Sequence, residues 1–239
     1  MSKTLRFIII NSVFLLGLLS GIQAQEVKPA EKPVEKPTEK TDTVKTKIWQ
    51  GFFVEFDVVP LVESAVINKY AFSYQGNLMV NLNNRFFPLV ELGYAGADKT
   101  NAVGTTYRTS GMFQKVGIDF RLLKPNPAAT IKHNFVLGGL RLGMSRFNYD
   151  INNAVIEDPI WGGTEIINEN SIPATKFWLE LTAGMRVSLY KNVYVGWNAR
   201  NKRLLNQTKE GENSPWYIPG YGLGKSSNWG FSYTVGYRF

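Results

Sequence analysis

The segment that most constrains this chain is Ser227 to Phe239. From Trp229 onward its odd positions are Trp229, Phe231, Tyr233, Val235, Tyr237 and Phe239, and between them lie Gly230, Ser232, Thr234, Gly236 and Arg238. A strand puts alternate side chains on opposite faces. The segment therefore has one unbroken apolar, aromatic face and one small or polar face. A soluble sheet rarely leaves such a row uncovered. A transmembrane β-barrel requires it, with lipid on one side and a polar interior on the other.

Seven earlier segments show the same period of two. They fall at about 49–59, 70–82, 86–95, 110–122, 134–147, 175–189 and 193–203. In the sixth, for example, Phe177, Leu179, Leu181, Met185 and Val187 alternate with Glu180, Thr182, Gly184 and Arg186. Eight strands is an even number, as bacterial barrels require, and each is long enough to cross a bilayer on a tilt. The connections alternate in length. The tight turns Asn83-Asn84-Arg85 and Tyr190-Lys191-Asn192 and the medium connection 123–133 fall on one rim; the long stretches 60–69, 96–109, 148–174 and 204–226 fall on the other. Short turns at one rim and long loops at the other predict an all-β, eight-stranded antiparallel up-and-down transmembrane barrel with periplasmic turns and extracellular loops. Trp49, Tyr70, Phe86, Tyr94, Phe177, Trp229 and Phe239 lie near strand ends, where interfacial girdles belong.

The N-terminus reads as an export signal. Lys3 and Arg6 precede an apolar run, and Ala24 ends residues 1–24 with a small side chain, which predicts a signal peptide. Residues 25–47 repeat Glu-Lys-Pro at Pro33 and Pro37, preceded by Lys28-Pro29. That composition cannot bury a core and favours an extended polyproline helix, here a disordered periplasmic linker. At about 3.1 Å per residue it would reach on the order of 70 Å. The barrel is then 48–239. The chain has no cysteine, which excludes disulfides and a lipidated N-terminus, and its single histidine, His133, leaves few metal-binding options. The net charge of +8 is spread among interspersed acids and bases, with no nucleic-acid-binding motif.

Four stretches carry a family resemblance, with the earlier Gly139-Leu140-Arg141-Leu142-Gly143 beside them: Phe177-Trp178-Leu179-Glu180-Leu181-Thr182-Ala183-Gly184-Met185-Arg186, Lys191-Asn192-Val193-Tyr194-Val195-Gly196-Trp197, Lys202-Arg203-Leu204-Leu205, and Tyr217-Ile218-Pro219-Gly220-Tyr221. They resemble a family of small outer-membrane β-barrels of Bacteroidota described only as a domain of unknown function, best over 175–223. The resemblance implies fold and location in the outer membrane, and no catalytic residues. The Pro-rich arm is not part of it. The aromatic ending Tyr237 and Phe239 is similar to the insertion signal that the barrel-assembly machinery reads in outer-membrane barrels.

Inward positions bring together Glu55, Asp57, Glu91, Asp119 and Glu180 with Lys115, Arg121, Arg141, Arg186, Arg200 and Arg238. An eight-stranded barrel is only wide enough for side chains to fill it. Buried charges must be paired. The near balance of signs predicts an interior salt-bridge network, the other reading being an ion path. Barrel enzymes need a general base at the outer rim. His133 falls at a turn on the opposite rim, so no catalytic residue, cofactor or metal is expected. Arg108, Arg146, Lys202, Arg203 and Lys209 make the outer rim mildly basic, suited to loop solubility or to lipid phosphates. Trp216, Tyr217, Ile218 and Tyr221, held among Pro215, Pro219 and Gly220, form an apolar loop that folds over the barrel mouth or meets a partner. The sequence thus points to a non-catalytic structural or interaction subunit of an envelope complex, with an auxiliary role in outer-membrane protein assembly or surface export as its sharpest form. A narrow channel and a lipid-modifying enzyme are the alternatives. The expected partners are outer-membrane lipid, the barrel-assembly machinery during insertion, and a periplasmic or surface protein.

Overall fold

The computed structural model describes residues 48–62, 70–123, 134–157, 162–207 and 214–239. The signal peptide, the 25–47 arm, His133 and Lys209 lie outside the described residues. The strands are β1 (Trp49–Asp57), β2 (Ala71–Leu82), β3 (Phe86–Thr100), β4 (Thr106–Arg121), β5 (Phe135–Glu157), β6 (Thr164–Tyr190), β7 (Val193–Leu204), β8 (Tyr217–Ile218), β9 (Gly222–Leu223) and β10 (Ser227–Arg238), with one short helix, α1 (Val59–Val62), after β1. Eight of the strands close an antiparallel barrel in the order β1-β10-β7-β6-β5-β4-β3-β2, and β8 and β9 form a separate small hairpin. No described helix is long and apolar enough to cross a membrane.

Closure depends on the two ends of the barrel sequence. Phe53 to Asp57 pair with Arg238 to Thr234. The Phe239 amide donates to the Phe52 carbonyl at 2.9 Å. Gly51 makes this approach feasible: its φ is +101°, and a Cβ there would strike the Phe239 carbonyl. At the other end the seam stops at Asp57. Its carboxylate accepts the amides of Val59 and Tyr233 and the side-chain amide of Gln75, taking over bonds that a longer β1 would have made. The chain then turns into α1, so β1 ends at 57 rather than near 59.

The tight turns follow from their residues. Asn83 and Asn84 both hold left-handed backbone (φ 55° and 52°), which asparagine tolerates and the tight turn closed by the Arg85 amide on the Leu82 carbonyl demands. Lys191 does the same at the β6–β7 turn, with φ 46°.

The outer face matches the sequence pattern. Phe56, Leu78, Leu92, Met112, Val116, Leu142, Leu181, Phe231 and Phe239 are all exposed, as are the seven girdle aromatics. Two long connections differ from expectation. The stretch 148–174 is mostly strand, because β5 runs to Glu157 and β6 begins at Thr164. Likewise β3 and β4 reach into 96–109, leaving only 101–105 between them. The reason is an inversion of polarity. Along β5, Leu140 and Leu142 face out while Arg141 faces in; further on, Arg146 and Asn148 face out while Phe147 and Tyr149 are buried. Apolar-out alternation ends where the outer surroundings turn polar, but the strand continues with apolar side chains inside.

Candidate functional site

The lumen is filled in three layers. Inward positions along β5 pass through all of them: Phe135 and Leu137, then Gly139 and Arg141, then Phe147 and Tyr149. At the turn end, Phe53, Met79, Phe87, Leu89, Phe135, Leu137 and Tyr194 form an apolar cluster. The Phe53 ring meets Phe135 and Tyr194 edge-on at 6.1 and 5.2 Å.

The middle layer is ionic. The Arg186 guanidinium grips Glu55 (Nη2 to Oε2, 2.9 Å) and lies 3.8 Å from Asp119. Arg141 joins Asp119 at 3.1 Å and also binds Glu91. Glu91 meets Lys115 at 3.1 Å and Arg200 at 2.9 Å. Glu180 meets Lys115 at 3.1 Å and Arg200 at 3.5 Å. The chain of contacts thus joins four carboxylates to four cations, all buried. Six strands contribute charges. The other two supply neutral partners: Asn77 of β2 donates to Glu55, and Ser232 of β10 accepts from Arg200. Every wall strand is therefore tied into one network with no net charge. Such a layer is tolerable in a low-dielectric interior because each charge has an opposite neighbour.

Three residues named from the sequence fall outside this network. Asp57 faces inward but is held by Gln75 and two backbone amides, as the stop of the β1–β10 seam. Arg121 lies at the turn end, donates to the Asn134 carbonyl at 3.2 Å and sits over the Phe135 ring. Arg238 is also at that end, donating to the Gln50 carbonyl at 3.1 Å. Arg121 and Arg238 face inward toward the turn end, two residues along from the level of Asp119 and of Glu55 respectively.

The third layer closes the end with the long hairpins. Tyr107, Phe113, Phe147, Tyr149, Trp178, Ile218 and Tyr221 are buried together. The loop of β8 and β9 therefore folds into the barrel. Ile218 and Tyr221 are inside this cluster, which takes them out of any partner surface, while Trp216 stays exposed and Tyr217 half-buried. Trp178 links two layers: its indole N–H donates to Glu180 at 2.8 Å, and its ring meets Tyr221 edge-on at 5.8 Å. Gly143 on β5 leaves room for it, since a Cβ there would fall inside the indole. The cap is pinned by the Lys202 ammonium, which donates to the carbonyls of Gly220 and Tyr221 at 2.9 and 3.2 Å. The Tyr107 hydroxyl donates to the Tyr217 carbonyl at 2.9 Å. Burial pushes the ionisation of Tyr107 upward, so it remains a donor.

Sequence reasoning assigned no role to Trp178, Phe113, Tyr107 or Tyr149. The signal for Trp178 was its place between the outward Phe177 and Leu179. Of the basic rim residues, Lys202 is committed to the cap and Arg108 pairs with Asp98 at 2.8 Å. Arg146 and Arg203 remain on the outer face, exposed. Tyr237 and Phe239 are exposed on the outer wall with rings 4.8 Å apart. Among the described residues no group of acids and histidine is arranged to hold a metal ion.

Residues 4–239 match the domain of unknown function DUF6048, and the chain belongs to that family. The match extends far beyond 175–223 and takes in the Pro-rich segment, to which the local resemblance did not extend. No curated protein sequence matches the chain. Among solved structures, the chain is similar to Ail, the attachment invasion locus protein of Yersinia pestis, solved with the heparin analogue sucrose octasulfate (12% identity, 80% of this chain and 99% of that one, TM-score 0.40). It is also similar to the N-terminal β-barrel domain of Pseudomonas aeruginosa OprF (12% identity, 80% and 99%, TM-score 0.39). A third is Neisserial surface protein A (14% identity, 80% and 99%, TM-score 0.36).

Proposed function

We propose that this member of the DUF6048 family is a non-catalytic integral outer-membrane barrel that acts through its surfaces, as a structural or interaction subunit of an envelope complex. The observation that carries this reading is the filled lumen. A neutral ionic layer lies between two apolar layers, and the β8–β9 cap closes one end. A solute crossing this barrel would have to break paired charges in a low-dielectric space, at several kcal/mol for each unpaired group. The apolar outer wall with its aromatic girdles supports a bilayer as the surroundings.

In this reading the tight turns at Asn84 and Lys191 face the periplasm, and the 25–47 arm lies on that side. The extended β5–β6 hairpin stands outside the cell. The interaction surfaces are then the hairpins at one rim and the arm at the other. Help in outer-membrane protein assembly or surface export is the most specific role they suit.

The test has three parts. Purified protein in planar bilayers should give no discrete conductance; steady openings would favour the narrow channel. Cysteines at Asn170 and Ser226 should label on intact cells with an impermeant reagent and one at Arg85 should not; the reverse pattern would invert the orientation. Protein extracted in mild detergent should co-elute with an envelope partner in fixed ratio, with lipid A mass spectra of a deletion strain unchanged. Elution alone would overturn the subunit reading, and altered lipid A would favour an enzyme.

A further inference from the structure

A cleft of about 300 Å³ opens at the hairpin end, outside the sealed lumen. Lys99, Thr105, Tyr107, Ile151, Ser214 and Trp216 line it. The elements behind it are fixed. The Asn101 side chain accepts the amides of Val103 and Thr105, shaping the β3–β4 turn. The hydroxyls of Thr100 and Thr106 meet across that turn at 2.9 Å. Trp216 stands edge-on to Tyr107 at 5.8 Å, and Tyr107 stacks on Tyr149 at 5.6 Å. The carbonyl of Trp216 accepts the Gly224 amide at 2.8 Å, so the indole is carried by the folded cap. The Lys99 ammonium lies 4.9 Å from the Trp216 ring centre, and among the described residues no carboxylate pairs with it.

We infer that this cleft binds one acidic sugar ring. The exposed indole offers a flat apolar surface that suits the C–H face of a pyranose. Thr105 and Ser214 are among the lining residues and carry hydroxyls of the kind sugar hydroxyls need as partners. Lys99 holds its charge over one part of the indole face, so a pyranose on the remaining exposed part of the ring brings a uronate carboxylate to that ammonium. The volume is at the lower end for ligand sites, which suits a single ring, and barrel mouths are a common place for such sites. Access by a surface polysaccharide rests on the outward orientation proposed above; binding by the purified protein does not, so the two can fail separately.

The experiment is titration of the full-length protein in detergent micelles, followed by saturation-transfer NMR on three probes: trigalacturonic acid, maltotriose and inorganic phosphate. Trigalacturonic acid should bind and show its strongest saturation on one ring. Maltotriose should bind about tenfold more weakly, the size of one lost charged contact. Phosphate should not displace the acid sugar at equal concentration. Trp216→Ala and Lys99→Gln should each weaken binding of the acidic sugar by about tenfold. Arg146→Gln, on the outer wall away from the cleft, should change nothing. The heat-modifiable migration of each variant on gels shows that the barrel is intact. Absence of binding by an intact barrel, equal binding of neutral and acidic sugars, displacement by phosphate alone, or binding that survives Trp216→Ala would each overturn the proposal.

Discussion

The ring of Phe239 lies flat on that of Phe52, with centroids 4.7 Å apart and planes 10° from parallel. The contact spans the seam where the last barrel strand meets the first, beside the reciprocal backbone bonds of the same two residues. Phe239→Asp should therefore weaken closure as well as alter the chain ending. The expected outcome is lower membrane yield and more periplasmic degradation. Phe52→Ala, which leaves the ending unchanged, should keep its yield but lose heat resistance on gels. Normal yield and normal migration of Phe239→Asp would show that neither the seam contact nor the aromatic ending matters.

Neighbouring positions on β6 should respond in opposite ways. Leu181 is 62% exposed on the outer wall and Thr182 is buried inside. Leu181→Arg sets a charge against hydrocarbon and should cost about 2–4 kcal/mol near the bilayer midplane. Thr182→Ala loses only a 3.4 Å contact to Asp119 and should change stability little. Urea unfolding in vesicles would measure both. Equal losses would contradict the inward and outward assignment.

Removing one charge from the ionic layer should hurt more than removing a pair. Arg186→Ala leaves Glu55 held by the Asn77 side-chain amide and should cost about 3–5 kcal/mol. Glu55→Leu with Arg186→Met deletes both members and should recover much of that loss, since apolar replacements of a buried pair are often near neutral. Neither variant should conduct, because the apolar layers remain. A stable Arg186→Ala protein with new conductance would show that these charges gate a pore.

Gly143→Ala tests the fit between the ionic layer and the cap. Its methyl group would overlap the Trp178 indole and should cost about 1–3 kcal/mol through overpacking. Trp178 fluorescence should shift as the ring leaves its place above Glu180. An unchanged melting temperature would mean that β5 yields easily at this point.

Tyr107→Phe should loosen the cap. It removes the bond to the Tyr217 carbonyl, worth about 1 kcal/mol. Because burial raises the ionisation of Tyr107, its contribution is complete below the ordinary tyrosine range near pH 10 and falls as pH rises above it. Hydrogen exchange across 214–226 should therefore be faster in the variant at pH 8. In the wild type it should accelerate beyond its ordinary base-catalysed increase only at strongly alkaline pH. No difference at pH 8 would show that the hydroxyl does not hold the cap.

The sequence made the wall legible because lipid imposes one rule on it. Trp229 to Phe239 alternate without a break, so register and outward face follow at once. The paired interior was legible as chemistry, since charges facing the inside of a narrow barrel have few ways to survive. What stayed hidden lies where that rule stops. Phe147 and Tyr149 continue β5 with the polarity reversed, so apolar-out alternation ends the strand too early. Trp178 is turned inward by its place between outward Phe177 and Leu179, but the space that Gly143 leaves for it and the Tyr221 ring that meets it come from residues that sequence does not bring together. Asp57 looks like one more lumen charge; its role as the end of a seam depends on Val59 and Tyr233, which sequence does not bring together.

The ionic layer also bears on how the barrel forms. Glu55 and Arg186 are 131 residues apart in sequence and meet only when the first and sixth strands share one lumen. Lys115 likewise needs Glu91 from one side and Glu180 from the other. A partly assembled sheet therefore presents half-matched charges, and no intermediate with fewer strands completes the network. Charges on β3 to β7 can pair among themselves in an open sheet, but Arg186 gains Glu55 only when β1 arrives to close the barrel. Assembly of this barrel should then be strongly cooperative, with partial sheets reversible until β1 and β10 join.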